Sequence, residues 1–304
     1  MQLKVVVLGT ASAMPTHERG LSSTAIVRGG EVLIFDAGEG MQRNFLKSGI
    51  GINRKTKVFI THMHSDHCVG LLGLLQTMSL QNRDILIQLY GPEYLNDFIH
   101  SNMKLLNFGL TFPLTISAVS EGVVVEENDY LVRAKLGKHS VKSYSYCMEE
   151  RERPGIFYPE KAKVLGIPEG NLWHKLQHGE DVEFNGKVVK SDEVTGPRRK
   201  GRKIGISGDT RPNDNLIEFF RDCNLLIFDS TYGDEHKEKA VENMHSTAKE
   251  AATLAAKANV KKLVLTHFSA RYEDVSVLVK EASEMHPNVV VAEDLLAIEV
   301  PYDR

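Results

Sequence analysis

Cysteine is scarce in this 304-residue chain: Cys68, Cys147 and Cys223 are odd in number and widely separated. They make neither a disulfide framework nor a CxxC zinc pair, and a reducing, cytoplasmic setting is expected. No apolar tract approaches the ~18 residues that a membrane-spanning helix requires, so no membrane association is expected. The apolar run at 5–8, with Ala11-Ser12-Ala13 behind it, is shorter than the about 7–15 residues of a secretory core, and reads as a first strand and its loop. Gly38-Glu39-Gly40 lacks the spacing of a GxGxxG or Walker A motif, so it reads as a tight turn and no nucleotide cofactor is expected. Charge of one sign is not in excess either. The net charge of −3 excludes indiscriminate polyanion binding and leaves the distribution of charge to decide what is bound.

What is present is an ordinary globular composition, 42% hydrophobic and 25% charged, on a length that one large domain over 1–304 can fill. Residues 3–8 read as a buried strand and 24–36 as a hairpin turning at Arg28-Gly29-Gly30. Residues 58–61 form a short strand that ends on a histidine cluster, and an apolar helix is expected over 69–80. Strands are expected at 85–90, 131–136 and 142–146, with a helix near 92–106. The last third alternates strands at 203–206, 225–228, 262–265 and 289–291 with helices near 212–221, 246–257 and 272–285. Residues 57–62 and 262–267 echo each other as apolar strands ending in Thr-His, which suggests two similar sheets facing each other. Such a layering needs helices over the outer faces.

Residues 154–202 break this pattern with four of the ten prolines, the only tryptophan, Trp173, and a turn-like Asn185-Gly186. Together with Lys203 the segment has ten Lys/Arg against seven Asp/Glu, which leaves −6 to the remainder of the chain. It reads as a protruding basic arm within the domain. A solvated charged hairpin and an oligomerisation element are the plainer alternatives. Trp173 would stack on a nucleic acid or pack the base of the arm.

The segment Thr61-His62-Met63-His64-Ser65-Asp66-His67 puts three imidazoles and a carboxylate within six residues directly after a strand. Alternation in an extended turn lets His62 and His64 point the same way, while Asp66 and His67 reach toward a second ion as the chain bends into a helix. Imidazole with carboxylate suits Zn²⁺, with Mn²⁺ or Fe²⁺ as alternatives. Further candidates are His139, Asp209 in Ser207-Gly208-Asp209-Thr210, and His267 in Thr266-His267, each following an apolar strand. Cys68 beside the cluster reads as a small buried residue.

An HxHxDH cluster followed by a separated His, a Gly-Asp-Thr and a late Thr-His resembles the metallo-β-lactamase superfamily over nearly the whole chain. That resemblance implies an αββα sandwich of α/β class, a four-layer α+β architecture. It implies two zinc ions per subunit, one held by His62, His64, His139 and Asp209, the other by Asp66, His67, Asp209 and His267. Within the superfamily, Pro15-Thr16 with Arg19, the His245-Ser246-Thr247 motif and Thr266–Tyr272 are similar to the ribonuclease Z family. Arg19-Gly20 and Ser269-Ala270-Arg271-Tyr272 depart from that family's usual Arg-Asn and Ser-Ser-Arg-Tyr. Gly166-Ile167-Pro168 with Lys161 and Lys163, and Gly196-Pro197-Arg198, resemble its exosite arm.

The resemblance implies an endonuclease that removes the 3′ trailer from precursor tRNA by metal-hydroxide attack, leaving a tRNA 3′ hydroxyl and a trailer 5′ phosphate. It further implies that Asp66 positions or deprotonates the attacking water, that His245 donates a proton to the leaving oxygen, that Thr16, Arg19, Lys161, Lys163, Arg198 and Arg271 touch the RNA, and that the protein is a homodimer. A capping or core role is the alternative for His245. A small phosphodiesterase or thioesterase of the same fold, or a nonenzymatic tRNA-binding protein, are the rival functions.

Overall fold

The computed structural model describes residues 1–303. β1 (Leu3–Gly9), β2 (Ser23–Arg28) and β3 (Glu31–Phe35) form an antiparallel meander, and Gly29-Gly30 makes the tight turn between the last two. β4 (Lys55–Phe59), β5 (Ile87–Gly91) and β6 (Leu114–Ala118) extend that sheet in parallel from β3. β7 (Gly122–Glu126), β8 (Tyr130–Leu136) and β9 (Tyr144–Glu150) begin a second sheet, again antiparallel. After a small separate hairpin of β10 (Val182–Phe184) and β11 (Lys187–Val189), β12 (Lys203–Ile206) pairs antiparallel with β9. β13 (Leu225–Asp229), β14 (Leu263–Thr266) and β15 (Val289–Val291) follow in parallel, and β16 (Ala297–Glu299) returns to β1. The two large sheets run β16-β1-β2-β3-β4-β5-β6 and β15-β14-β13-β12-β9-β8-β7. β4 and β14, which carry the Thr-His echo, each lie between two parallel neighbours.

The period-two alternation of side chains along a strand builds the layers. Val5, Val7, Leu33, Phe35 and Phe59 join Tyr146, Met148 and Ile204 of the other sheet in one core. Their neighbours Val6, Leu8, Val32, Ile34, Val58 and Ile60 face the opposite way. They pack on Phe45 of helix Met41–Lys47, Leu71, Leu74, Leu75 and Met78 of helix Gly70–Leu80, and Ile99 of helix Leu95–Leu105. Helices Ala248–Lys257 and Ser276–Ser283 cover the second sheet through Ala251, Ala252, Ala255, Leu278 and Ala282. The result is an αββα sandwich. Tyr146 ties the sheets together at the functional end, donating from its hydroxyl to Ile60 O at 2.9 Å, two residues before His62.

Residues 154–202 are inserted between β9 and β12 and carry a core of their own: Ala162, Ile167, Leu176, Val182, Val189 and Val194. Trp173 belongs to it, with its ring 5.4 Å from Phe157 and its indole N–H donating to Ile167 O at 2.9 Å. It packs on the arm core and stays partly exposed. No helix among the described residues is long and apolar enough to cross a membrane. Among the elements that escape the sequence reading are β6 and β7, largely exposed short strands, helix Met41–Lys47 behind the Gly38-Glu39-Gly40 turn, β16, and the short helices and strands of the arm.

Candidate metal centre

Six polar groups stand at or just past the C-terminal ends of strands, where parallel strands leave a crevice for ligands. β3 delivers Asp36, β4 delivers His62 and His64, β12 delivers Asp209, β13 delivers Asp229 and β14 delivers His267. The short helix Ser65–Cys68 then turns Asp66 and His67 inward, and both are buried. Two of these positions carry backbone in the left-handed region, Asp36 (φ 59) and His267 (φ 65), a conformation of appreciable cost that the surrounding contacts must hold. Gly208 (φ 59) precedes Asp209, and a Cβ there would lie 2.9 Å from that of Thr61, so the Gly-Asp-Thr turn needs glycine on both counts.

Two donor sets share Asp209, one with His62, His64 and His139 and the other with Asp66, His67 and His267, and a third grouping joins Asp209 and His267 to Asp229 and His245 at the rim. In the first, His62 Nε2 is 3.0 Å from His64 Nδ1, His139 Nε2 is 3.3 Å from His64 Nδ1, and Asp209 Oδ2 is 3.7 Å from His62 and 4.0 Å from His139. In the second, His67 Nε2 is 3.2 Å from His267 Nε2, Asp66 Oδ2 is 3.4 Å and 3.6 Å from the two, and Asp209 is 3.3 Å from both, through Oδ2 to His67 and Oδ1 to His267. Four ligands at about 2.1 Å around a tetrahedral ion are separated by about 3.4 Å, so both sets have the spacing a divalent metal asks for. The two oxygens of Asp209 reach both sets.

The groups behind the donors fix which ring nitrogen is offered. His139 Nδ1 donates to Met244 O at 3.0 Å, which leaves Nε2 as the ligand atom, because a carbonyl can only accept. His67 Nδ1 meets Asp36 Oδ2 at 2.8 Å, His62 Nδ1 meets Thr61 Oγ1 at 2.9 Å, and His267 Nδ1 meets Thr231 Oγ1 at 2.9 Å. Asp36 also accepts from Thr61 N and Oγ1 at 2.7 and 2.9 Å, so one carboxylate braces both ends of the HxHxDH loop.

Electrostatics point the same way. Burial, followed by the charge of His67, holds His62 well below the ordinary imidazole range, which keeps it neutral. Burial works against charge on Asp209 and Asp66, yet the neighbouring histidines, His267 first in both cases, hold the two carboxyls below their usual range. Burial likewise opposes charge on His67, but Asp209 and Asp36 outweigh it and draw the imidazole well above its ordinary value. Ionised carboxylates gathered out of water demand a compensating cation, which is the role a metal takes. The Cys68 thiol, pushed up to about 12 first by burial, belongs to neither set.

His245 stands at the rim, with Nδ1 3.0 Å from Asp229 Oδ2 and 3.8 Å from Asp209 Oδ2. Burial disfavours its charged form, but Asp229 and then Asp209 dominate and raise it to about 9. It does not cap the following helix: Thr247 does, in a reciprocal capping box with Glu250. Arg211 clamps this corner, donating to His245 O at 2.6 Å and to Glu250 Oε2 at 2.7 Å. Asp36, Asp229, Arg211 and Thr231 were not singled out as site residues in the sequence, although Asp36 and Asp229 carry the same signal as Asp209, a carboxylate following an apolar strand.

The remaining expected contacts are dispersed. Arg19 is turned into the fold: its guanidinium donates to Thr10 Oγ1 at 2.9 Å and Ala292 O at 2.8 Å and lies 4.8 Å from the Phe268 ring. Thr16 is exposed in the same loop, which is laced to the His267 segment by Phe268 N to Thr10 O and Ser12 N to Phe268 O. Arg271 is exposed beyond His267, its Nε donating to Ser269 Oγ at 3.0 Å. Lys161, Lys163 and Arg198 are exposed on the arm, where Lys161 lies over Tyr158 and Lys163 pairs with Glu169 at 3.5 Å.

Two facing seven-stranded sheets with this centre at the strand ends define a metal-dependent hydrolase of the metallo-β-lactamase superfamily. A family model described as a beta-lactamase superfamily domain matches residues 175–268, and one described as the anti-Pycsar protein Apyc1 matches residues 3–111. The chain is 52% identical to ribonuclease Z of Nitrosopumilus maritimus over 98% of its length and 100% of the relative's. It is 44% identical to ribonuclease Z of Methanosarcina acetivorans over 99% of both chains. The crystal structure of the short form of human tRNase Z superposes with a TM-score of 0.73 at 30% identity, covering 98% of this chain and 99% of that one. The chain belongs to the ribonuclease Z family.

Proposed function

We propose that this protein is a zinc-dependent endoribonuclease that removes the 3′ trailer from precursor tRNA, leaving a 3′ hydroxyl on the tRNA and a 5′ phosphate on the trailer. The observation that carries the reading is the pair of donor sets sharing Asp209, with His245 at their rim. Two divalent ions held there would supply a water of lowered pKa and stabilisation of the attacking and leaving oxygens of an in-line phosphoryl displacement. His62, His64 and His139 would hold one ion and Asp66, His67 and His267 the other, with Asp209 within reach of both. Asp66 also orients the attacking water. His245, kept charged by Asp229, donates a proton to the departing 3′ oxygen from Nε2, the nitrogen Asp229 does not hold.

The basic arm over 154–202 contacts the phosphates of the folded RNA through Lys161, Lys163 and Arg198, giving affinity and register without base readout. Thr16 and Arg271 border the trailer end. The protein acts as a homodimer, with the arm of one copy serving the metal centre of the other. A cytoplasmic location fits its substrate and its three free thiols.

End analysis of a precursor tRNA incubated with zinc-loaded protein tests the reading, with Asp209→Ala and a small phosphodiester as controls. Cleavage at the acceptor-stem junction with a 3′ hydroxyl is expected, and a 2′,3′-cyclic phosphate would sink the mechanism because the ribose 2′ oxygen would then be the attacker. His245→Ala is expected to slow cleavage by about 10²–10⁴-fold with metal content intact.

A further inference from the structure

The arm leaves and re-enters the second sheet through one narrow stem, because β9 and β12 are antiparallel neighbours. Its two strands are joined by Arg153 N to Arg199 O at 2.8 Å and Arg199 N to Arg153 O at 2.9 Å. They approach so closely that a Cβ on Gly155 would stand 1.9 Å from Gly196 O. A two-stranded ribbon of this kind is marginal by itself and would act as a hinge.

One ring from a distant part of the chain joins both strands of the stem. The guanidinium carbon of Arg153, on the outgoing strand, lies 3.3 Å from the centroid of Tyr302, and that of Arg202, on the returning strand, lies 3.8 Å from it. Two guanidinium groups that close cannot share one face, so the ring is sandwiched between them. The π faces then offset the repulsion of two like charges.

The two cations are anchored differently. Arg202 is buried and donates to Glu150 at 2.8 and 2.7 Å, to Val300 O at 2.9 Å and to Met1 O at 3.1 Å. Glu150 in turn receives Arg28 at 3.3 Å. Arg202 is thus part of the body. Among the described residues Arg153 Nε is buried with no hydrogen-bond partner, and the Tyr302 ring is the group packed on that guanidinium. None of these residues contributes to the donor sets.

We propose that Tyr302 is a positioning residue: by clasping Arg153 to Arg202 it fixes the direction in which the arm leaves the body, and so sets the preference of the metal centre for structured RNA over small phosphodiesters. This rests on the arm's role in the proposed function. The test compares wild type with Tyr302→Ala, Tyr302→Phe and Arg153→Ala in three measurements: kcat and KM on precursor tRNA, turnover of bis(p-nitrophenyl) phosphate, and amide hydrogen exchange across 150–203 without RNA.

Tyr302→Ala and Arg153→Ala are each expected to speed exchange in the stem and to raise KM for precursor tRNA by about tenfold, since either change breaks the link from Arg153 to the body. Small-diester turnover is expected to stay unchanged. Tyr302→Phe, which keeps the ring, restores wild-type values, and the double Ala variant is no worse than either single one. Unchanged stem exchange in Tyr302→Ala overturns the proposal, whether or not KM moves. So does a parallel loss of small-diester turnover, since the ring would then be bracing the whole fold. A wild-type protein that leaves precursor tRNA intact would sink the proposed function, while faster stem exchange in the variants would still establish the clasp.

Discussion

Asp209 is the residue on which both donor sets depend, through Oδ2 to His62, His67 and His139 and through Oδ1 to His267. Removing it should empty both, whereas His64, which touches only the first set, should cost one ion. Elemental analysis is expected to find Asp209→Ala nearly metal-free and His64→Ala at about one ion per chain. Glu150 carries a separate prediction, on stability. Burial opposes its ionisation, but the hydrogen bonds from Arg202 outweigh it and depress the carboxyl below its ordinary value of 4.5. A depressed acid stabilises the fold above its unfolded pKa and loses that contribution as pH falls through the folded one. Urea titrations should therefore find wild type more stable than Glu150→Gln at pH 7, with the gap shrinking below pH about 4.5. At this scale the donors were largely legible, because His62, His64, Asp66 and His67 lie within six residues and no structural role accounts for that density. Asp36 and Asp229 lie outside that dense cluster, although each follows an apolar strand. Their function is to hold a ligand or His245, and such second partners are chosen by a meeting in space that no spacing records.

Helix Ala248–Lys257 shows what an element contributes. Its capping box, Thr247 Oγ1 receiving Glu250 N at 3.2 Å and Glu250 Oε2 receiving Thr247 N at 3.0 Å, fixes the start of the helix two residues after His245. The same Glu250 is gripped by Arg211, two residues after Asp209. Thr247→Ala is expected to lower stability by about 1 kcal/mol in denaturant titration. It should also slow precursor cleavage while leaving metal content unchanged, since the cap positions His245 and touches no donor. Strands with dense apolar runs, such as β1, β13 and β14, could be read directly. β6 (Leu114–Ala118) and β7 (Gly122–Glu126) give a weaker signal, because each is only five residues long and most of its side chains are exposed. They are strands because a neighbouring edge satisfies their backbone groups.

For the whole molecule, the issue is how one centre acts on a large polyanion when the chain has a net charge of −3. Concentrating positive charge on the arm allows phosphate binding without general stickiness. Changing Lys161, Lys163 and Arg198 together to Ala should weaken precursor binding and reduce the slope of log K against log salt by about 2–3, with small-diester turnover unaffected. If the arm serves the partner's centre, mixing this triple variant with Asp209→Ala should restore cleavage through mixed dimers, whereas a self-serving arm would give no recovery. Legible in the amino-acid sequence alone were the apolar strands and the cluster of His62, His64, Asp66 and His67, because two-residue periodicity and metal chemistry leave local patterns, while the sandwich and the seven candidate donors came through the resemblance those motifs carry. Only the tertiary structure decided that Arg19 faces inward, that Trp173 packs the arm and that Tyr302 lies between Arg153 and Arg202. Those outcomes depend on contacts between segments up to a whole chain length apart, and a residue's type does not say which neighbour will reach it first.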